Sequence, residues 1–291
     1  MRGSRALLLV VAIMFGATPL HAEGRLNVVA SFSIIADFVK NVGGERVKVT
    51  SLVGPNGDVH VYTPAPQDAK TIADAQLVVI NGLGLDGWLP RLLQSSGSKA
   101  VVVTASEGVS PLKLGSQADP HAWQSVGNAQ IYVKNIRDAL AQADVGDADY
   151  FRQNAARYLA ELDALDREVR NGVDQIPAER RKVISSHRAF GYFAKAYGIA
   201  FIAPLGVSTE TEPSARDVAA IIAQVKKDKI PAVFLENITD DRLMRRIAEE
   251  TGVKVGGTLY SDSLTDEKGP VATYIALVRH NIKALTSALG R

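Results

Sequence analysis

Three histidines carry the chemistry that this sequence offers. His60 sits in "GPNGDVHVYTPAP", His121 in "ADPHAW", and His187 ends "KVISSH". Each lies at or just beyond the carboxyl end of a strand-like run, where open α/β sheets bind their ligands. Asp262, in "LYSDSL", follows another such run. Neutral imidazole is a good donor to Zn²⁺, and three imidazoles with one carboxylate fill a tetrahedral shell. The carboxylate also admits Mn²⁺ or Fe²⁺, which take harder donors. No short-range signature such as H-E-x-x-H is present, so only the fold can assemble this set. The remaining histidines read differently. His21 falls in an N-terminal leader. His280 lies beside an apolar face of "TYIALVRHNIKALTSAL" formed by Tyr274, Leu277, Val278 and Ile282, and reads as structural or solvated.

The elements that must position these residues repeat one grammar twice. Strand-like runs fall at 26–31, 47–53, 75–81 and 99–104, and again at 182–187, 199–205, 231–237 and 253–260. Helix-like segments separate them, such as "PQDAKTIADA" in the first set and "SARDVAAIIAQVKKDK" in the second. This alternation predicts parallel sheets covered by helices. Between the sets, Phe151, Ala155, Tyr158, Leu162, Leu165, Val169 and Val173 recur every three or four residues. That stripe predicts one long helix, roughly 40 Å from end to end, able to bridge both lobes. The fold class is therefore α/β, with two lobes, each a parallel sheet flanked by helices, joined by a long backbone helix. The expected division is a leader over 1–22, a first metal-binding lobe over 23–146, the linking helix over 147–176 and a second metal-binding lobe over 177–291.

The leader "MRGSRALLLVVAIMFGATPLHA" has a basic start, an apolar core too short to span a membrane, and a small residue at Ala22. It reads as a cleaved secretory signal. With no cysteine in the chain, disulfides, thiolate ligands and a lipid-bearing cysteine are excluded from the expectation. The expected location is the periplasm, without lipidation. Removing Arg2 and Arg5 with the leader lowers Lys+Arg from 33 to 31, equal to Asp+Glu at 31. A mature chain of net zero charge gives no support to a nucleic-acid partner. A monomer is expected.

"GLGLDG", at Gly82, Gly84 and Gly87, matches the glycine pattern of a dinucleotide-binding turn. It follows the third strand of its set, whereas that fingerprint opens the first βαβ unit. The glycines read instead as a tight turn, with Asp86 and Trp88 starting the next helix.

Taken together, "GPNGDVHVYTPAPQDAKTIADAQLVVINGLGLDGWL", "DPHAW", "SSHRAFGYFAKAYGI", "GVSTETEPSARDVAAII" and "FLENITDDRLMRRIAEETG" resemble, in order, the zinc/manganese-binding receptors of ABC transporters (bacterial solute-binding protein family 9). The resemblance covers nearly all of the mature chain. It implies a two-lobed receptor that captures a divalent metal and delivers it to a membrane permease driven by an ATPase, with a periplasmic metallochaperone as a candidate further partner. The family's ligand positions fall on His60, His121, His187 and Asp262. The manganese branch usually carries Glu at the third position, so His187 favours Zn²⁺, with Mn²⁺ or Fe²⁺ as the alternative. Three features depart from the pattern: the loop before His121 has no further histidine, "WQSV" replaces W-L-D-P, and "GLD" replaces G-L-E.

Two other function classes are open to these residues. A periplasmic zinc-dependent hydrolase would leave Asp262 off the metal and use Glu236 or Glu210 as base, since catalytic zinc needs an open position. An oxidoreductase would use the "GLGLDG" turn. A binding protein without catalysis fits four protein ligands best. Trp123 reads as either a wall of the site or lobe core, and Glu210 and Glu212 as either supports for the ligands or helix-start residues.

Overall fold

The computed structural model describes residues 24–115 and 117–290. The expected leader lies outside them. The first half runs β1 (Leu26–Phe32), α1 (Ser33–Gly43), β2 (Val47–Val53), α2 (Pro66–Ala73), β3 (Leu77–Ile80), α3 (Leu89–Ser96) and β4 (Val101–Thr104). A small hairpin, β5 (Lys113–Leu114) and β6 (Gln117–Ala118), leads to α4 (Val126–Ala143) and α5 (Ala148–Asp174). The second half runs β7 (Lys182–Ile184), α6 (Gly191–Tyr197), β8 (Ala200–Ile202), α7 (Ala215–Asp228), β9 (Ala232–Glu236), α8 (Arg242–Thr251), β10 (Lys254–Leu259) and α9 (Tyr274–Leu289). Among the described residues, no helix is long and apolar enough to cross a membrane.

The two halves form separate parallel sheets, β2-β1-β3-β4 and β10-β9-β7-β8. In both, the first and third strands of the set lie at the centre and the second and fourth at the edges. Burial explains the sequence character of each position. The central strands β1 and β9 are covered on both faces and are almost continuously apolar. The edge strand β4 leaves Val101 62 % exposed.

The long helix forms as its stripe predicts. It spans 27 residues, and all seven apolar positions of the stripe are buried. It packs on α1 and α4 of the first lobe and on α9 of the second. The hydrophobic interior is correspondingly shared: Phe38 of α1 meets Tyr132 of α4, Tyr158 of α5 and Tyr274 of α9, with ring centroids 4.8–6.4 Å apart. Three of the elements above are not marked by the sequence pattern. These are α4, whose mixed small and polar residues blur its apolar face, and the two-residue strands of the hairpin. The α3 helix starts at Leu89, later than expected.

Beside this aromatic knot, Asp37 of α1 accepts the Tyr274 N–H at the start of α9, at 3.0 Å. The carboxyl group therefore ties the lobes together from a buried position. Desolvation pushes its pKa up from 3.8 to about 6, against the stabilising pull of the Tyr274 N–H and Lys40. The folded protein thus holds a proton that the unfolded chain has released, and stability falls as pH rises from about 4 to about 6, by on the order of 3 kcal/mol. Asp37→Asn retains an acceptor for Tyr274 and has no charge to bury. The substitution should raise the melting temperature of the metal-free protein at pH 7 more than at pH 4. Identical pH dependence in the two proteins would contradict this account of Asp37.

Candidate metal centre

His60 lies in the loop after β2, and His121 follows the hairpin beyond β4. His187 follows β7, and Asp262 follows β10. All four stand at the carboxyl ends of their sheets, two from each lobe, and the two lobes bring their tips together. His60 Nε2 is 3.2 Å from His121 Nε2 and 3.1 Å from Asp262 Oδ2. His187 Nε2 is 3.3 Å from His121 Nε2 and 3.1 Å from Asp262 Oδ2. One ligand-capable atom from each residue falls within 4.8 Å of the other three. The side chains of His121, His187 and Asp262 are fully buried, and that of His60 is 5 % exposed. His60 lines a cavity of about 730 Å³ together with Tyr62, Trp88, Gln117 and Glu210.

Local sequence explains how each donor is aimed. His60 and His121 each follow an aspartate by two residues, in "DVH" and "DPH". In both cases the aspartate Oδ1 accepts the histidine's own backbone N–H, at 2.9 Å for Asp58 and 3.0 Å for Asp119. The second turn goes further. Asp119 Oδ1 also lies 2.8 Å from His121 Nδ1, so it takes the ring proton there and leaves Nε2 as a lone pair facing the centre. Asp58 is held in turn by the Thr209 hydroxyl of the second lobe at 2.5 Å. This repeated D-x-H is the signal that sequence reasoning passed over. For His187 the support is Glu236, at the end of β9. Its Oε1 accepts the Ser186 and His187 N–H groups at 2.7 and 3.0 Å. Its Oε2 is 2.6 Å from His187 Nδ1, the separation of an ion pair, although the two are not aligned as a linear hydrogen bond.

The electrostatics differ from residue to residue. Burial lowers the His121 pKa and outweighs the pull of Asp262 and Asp119, so this ring is neutral. Burial also opposes charge on His187, but there Glu236 and then Asp262 prevail and hold the pKa well above the ordinary histidine value. Asp262 is likewise desolvated, yet His187 and His121 keep its carboxyl well below the usual range. Without an ion, these directions favour charge on Asp262 and His187 and disfavour it on His121.

The glycine turn behind this site is scaffold. Gly82 and Gly84 adopt φ of 84° and 87°, conformations that favour glycine. Asp86 does not serve the next helix, as the sequence reading had it. Its carboxylate turns back and accepts the Gly82 and Asn81 N–H groups at 2.7 and 3.3 Å. A carboxylate thus occupies the N–H groups that a cofactor phosphate would need. Asn81 then donates to the Pro120 carbonyl at 3.0 Å, bracing the residue before His121.

His280 is structural: its Nε2 donates to the Thr258 carbonyl at 3.0 Å. Trp123 is both core and wall, fully buried with its ring 5.3 Å from that of His121. Glu210 and Glu212 are exposed, and α7 starts instead with a capping box between Ser214 and Asp217.

Residues 28–288 match the family described as ZnuA, zinc-uptake complex component A, periplasmic. The chain belongs to the ZnuA family. Among relatives, it is 34 % identical over 290 residues to the iron-binding protein YfeA of Yersinia pestis, covering 98 % of this chain and 93 % of that one. It is also 34 % identical over 275 residues to the manganese-binding lipoprotein MntA of Halalkalibacterium halodurans, covering 94 % and 91 %. The solved structure of the periplasmic zinc-binding protein TroA from Treponema pallidum superposes with a TM-score of 0.89 at 33 % identity, covering 92 % of this chain and all of that one. Membership in the ZnuA family makes this chain the metal-binding receptor of an ABC importer, working with a membrane permease and its ATPase. It gives no support to a metallochaperone. The family consists of transporter components rather than enzymes.

The same relatives correct the expected localisation. MntA and several streptococcal relatives are named lipoproteins, which implies a lipid anchor rather than a freely released mature chain. The expectation of an unlipidated periplasmic protein rested on the cleaved-signal reading of residues 1–22 and on the absence of cysteine, and is withdrawn. A position outside the cytoplasmic membrane stands.

Glu236→Gln replaces the acceptor facing His187 Nδ1 with an amide that can donate. It should weaken metal binding about ten- to a hundredfold, as read by competition against a chelator. Wild-type affinity in this variant would show that Glu236 does not orient the ring.

Proposed function

We propose that His60, His121, His187 and Asp262 bind one divalent ion as cargo, and that Zn²⁺ is the preferred ion. The convergence of the four donor atoms carries this reading. A tetrahedron with metal–ligand bonds of about 2.0–2.1 Å has donors roughly 3.3 Å apart. Four of the separations here are 3.1–3.3 Å. Without an ion, three Nε2 atoms and a carboxylate crowd together with too few protons to satisfy one another. Three imidazoles against one carboxylate favour zinc over harder ions.

One observation favours Mn²⁺ or Fe²⁺ as the second reading. Asp262 Oδ1 is buried, has no hydrogen-bond partner and lies 3.7 Å from His121 Nε2. An ion that takes more than four donors finds its fifth there.

Binding proceeds without catalysis in this reading. Both Glu236 oxygens face His187 and its backbone, so Glu236 is not a free base, and the four donors form a closed shell. The ion enters past His60, the ligand that lines the cavity, and exchanges its waters for protein donors. Entry at His187 Nε2 displaces the proton held between that ring and Asp262. Affinity therefore rises with pH through neutrality and falls as acid protonates the imidazoles.

Zinc titration by calorimetry in buffers of different ionisation enthalpy should show release of about one proton or more per ion near pH 7. A titration with no proton release would overturn the charge assignment. Replacement of His60, His121 and His187 together by Ala should abolish high-affinity binding. A triple variant that retains wild-type zinc affinity would remove these residues from the site.

A further inference from the structure

Two side chains of the first lobe converge on one backbone atom of the second. Trp123 Nε1 donates to the Ser261 carbonyl at 2.9 Å, and Gln124 Nε2 donates to the same oxygen at 2.7 Å. Trp123 and Ser261 are 0 % exposed and Gln124 is 3 % exposed. Ser261 immediately precedes Asp262, while Trp123 and Gln124 follow His121 by two and three residues. The clamp therefore ties the backbone of a ligand loop in one lobe to that of a ligand loop in the other.

The rest of the Asp262 segment is pinned as well. Tyr260 exchanges two hydrogen bonds with the Asn281 side chain, at 2.9 and 2.7 Å. Beyond the ligand, the Leu264 N–H donates to Ser33 Oγ at 3.0 Å, and the Leu264 carbonyl accepts the Asn56 N–H at 2.8 Å. The main chain of Asp262 is thus suspended between fixed points, while its Oδ1 has no hydrogen-bond partner.

Trp123 would be buried here for its ring alone, against Phe32. Gln124 would not. Burying an amide is costly unless its hydrogen bonds are made. Position 124 is also one of the three at which "WQSV" departs from W-L-D-P. We propose that Gln124 is a positioning residue which, with Trp123, sets the reach of Asp262 toward the three imidazoles, and so governs how long the ion is held and how strongly zinc is preferred over manganese. The inference rests on the four-ligand reading above. A loosened Asp262 loses its fit to a compact four-donor shell and more readily offers both oxygens to a larger one.

Gln124→Met keeps the length of the side chain and removes its donors. In the full chain, the zinc dissociation rate should rise about five- to tenfold, the loss expected for one hydrogen bond to a buried acceptor. The zinc-over-manganese preference should fall by a similar factor, and the visible bands of the Co²⁺-loaded protein should weaken or shift. Ile136→Val, buried in α4, should lower the melting temperature and leave all three readouts unchanged, which separates positioning from general destabilisation. Trp123→Phe removes the other donor and decides the matter by the same readouts if Gln124→Met does not fold. Wild-type dissociation and cobalt spectra in folded Gln124→Met, or failing that in Trp123→Phe, would overturn the proposal. A wild-type chain that binds no ion would instead sink the four-ligand reading itself.

Discussion

Everything in this structure bears on one electrostatic problem: a carboxylate and three imidazole nitrogens are held within contact distance of each other, out of water. Such a cluster is unfavourable by itself, because buried polar atoms need partners and these atoms largely share a sign. A divalent ion resolves it at once. In its absence Glu236 and Asp262 favour a proton on His187, which eases part of the same conflict. In the proposed function the ion and that proton compete for one negative well, which links metal capture to acidity.

Holding donors in that arrangement requires rigid support, and the fold supplies it from both sides. The two sheets share one strand order and present their carboxyl ends to each other. The long helix α5 spans the back of both lobes, and the aromatic knot of Phe38, Tyr132, Tyr158 and Tyr274 fills the junction. Hydrogen bonds cross the interface next to the ligands, from Trp123 and Gln124 to Ser261 and from Leu264 to Ser33. These contacts oppose wide opening of the lobes. The loop bearing His60 is tied to the second lobe as well, by the Thr209 hydroxyl on Asp58 and by the Asn56 N–H on the Leu264 carbonyl.

Much of this was legible in the residues. The period-two and continuous apolar runs mark the strands, and the stripe from Phe151 to Val173 marks α5, because both patterns record burial directly. The convergence of His60, His121, His187 and Asp262 was legible because histidines at strand ends are few and have little structural reason to be there. The supporting shell was not. Asp119 is one aspartate among many until the fold brings its carboxylate beside the His121 ring. Glu236 enters the sequence reading only as a candidate base, with Glu210, of the disfavoured hydrolase, because a carboxylate after a strand has more than one use; its three contacts with Ser186 and His187 are visible only in the fold. Asp86 sits where a helix-start acid belongs, yet the two free N–H groups of its own turn compete better for it. In each case the deciding partner is a backbone group or a ring placed by tertiary structure, which sequence spacing does not encode. The α4 helix was missed for a related reason: it is recognised by what packs on it rather than by its own periodicity.

X-ray absorption at the zinc edge of the loaded protein tests the central claim most directly. The account predicts a four-coordinate ion with three imidazole nitrogens and a carboxylate oxygen at about 2.0–2.1 Å. A six-coordinate shell dominated by water oxygens, or a shell without imidazole scattering, would contradict it.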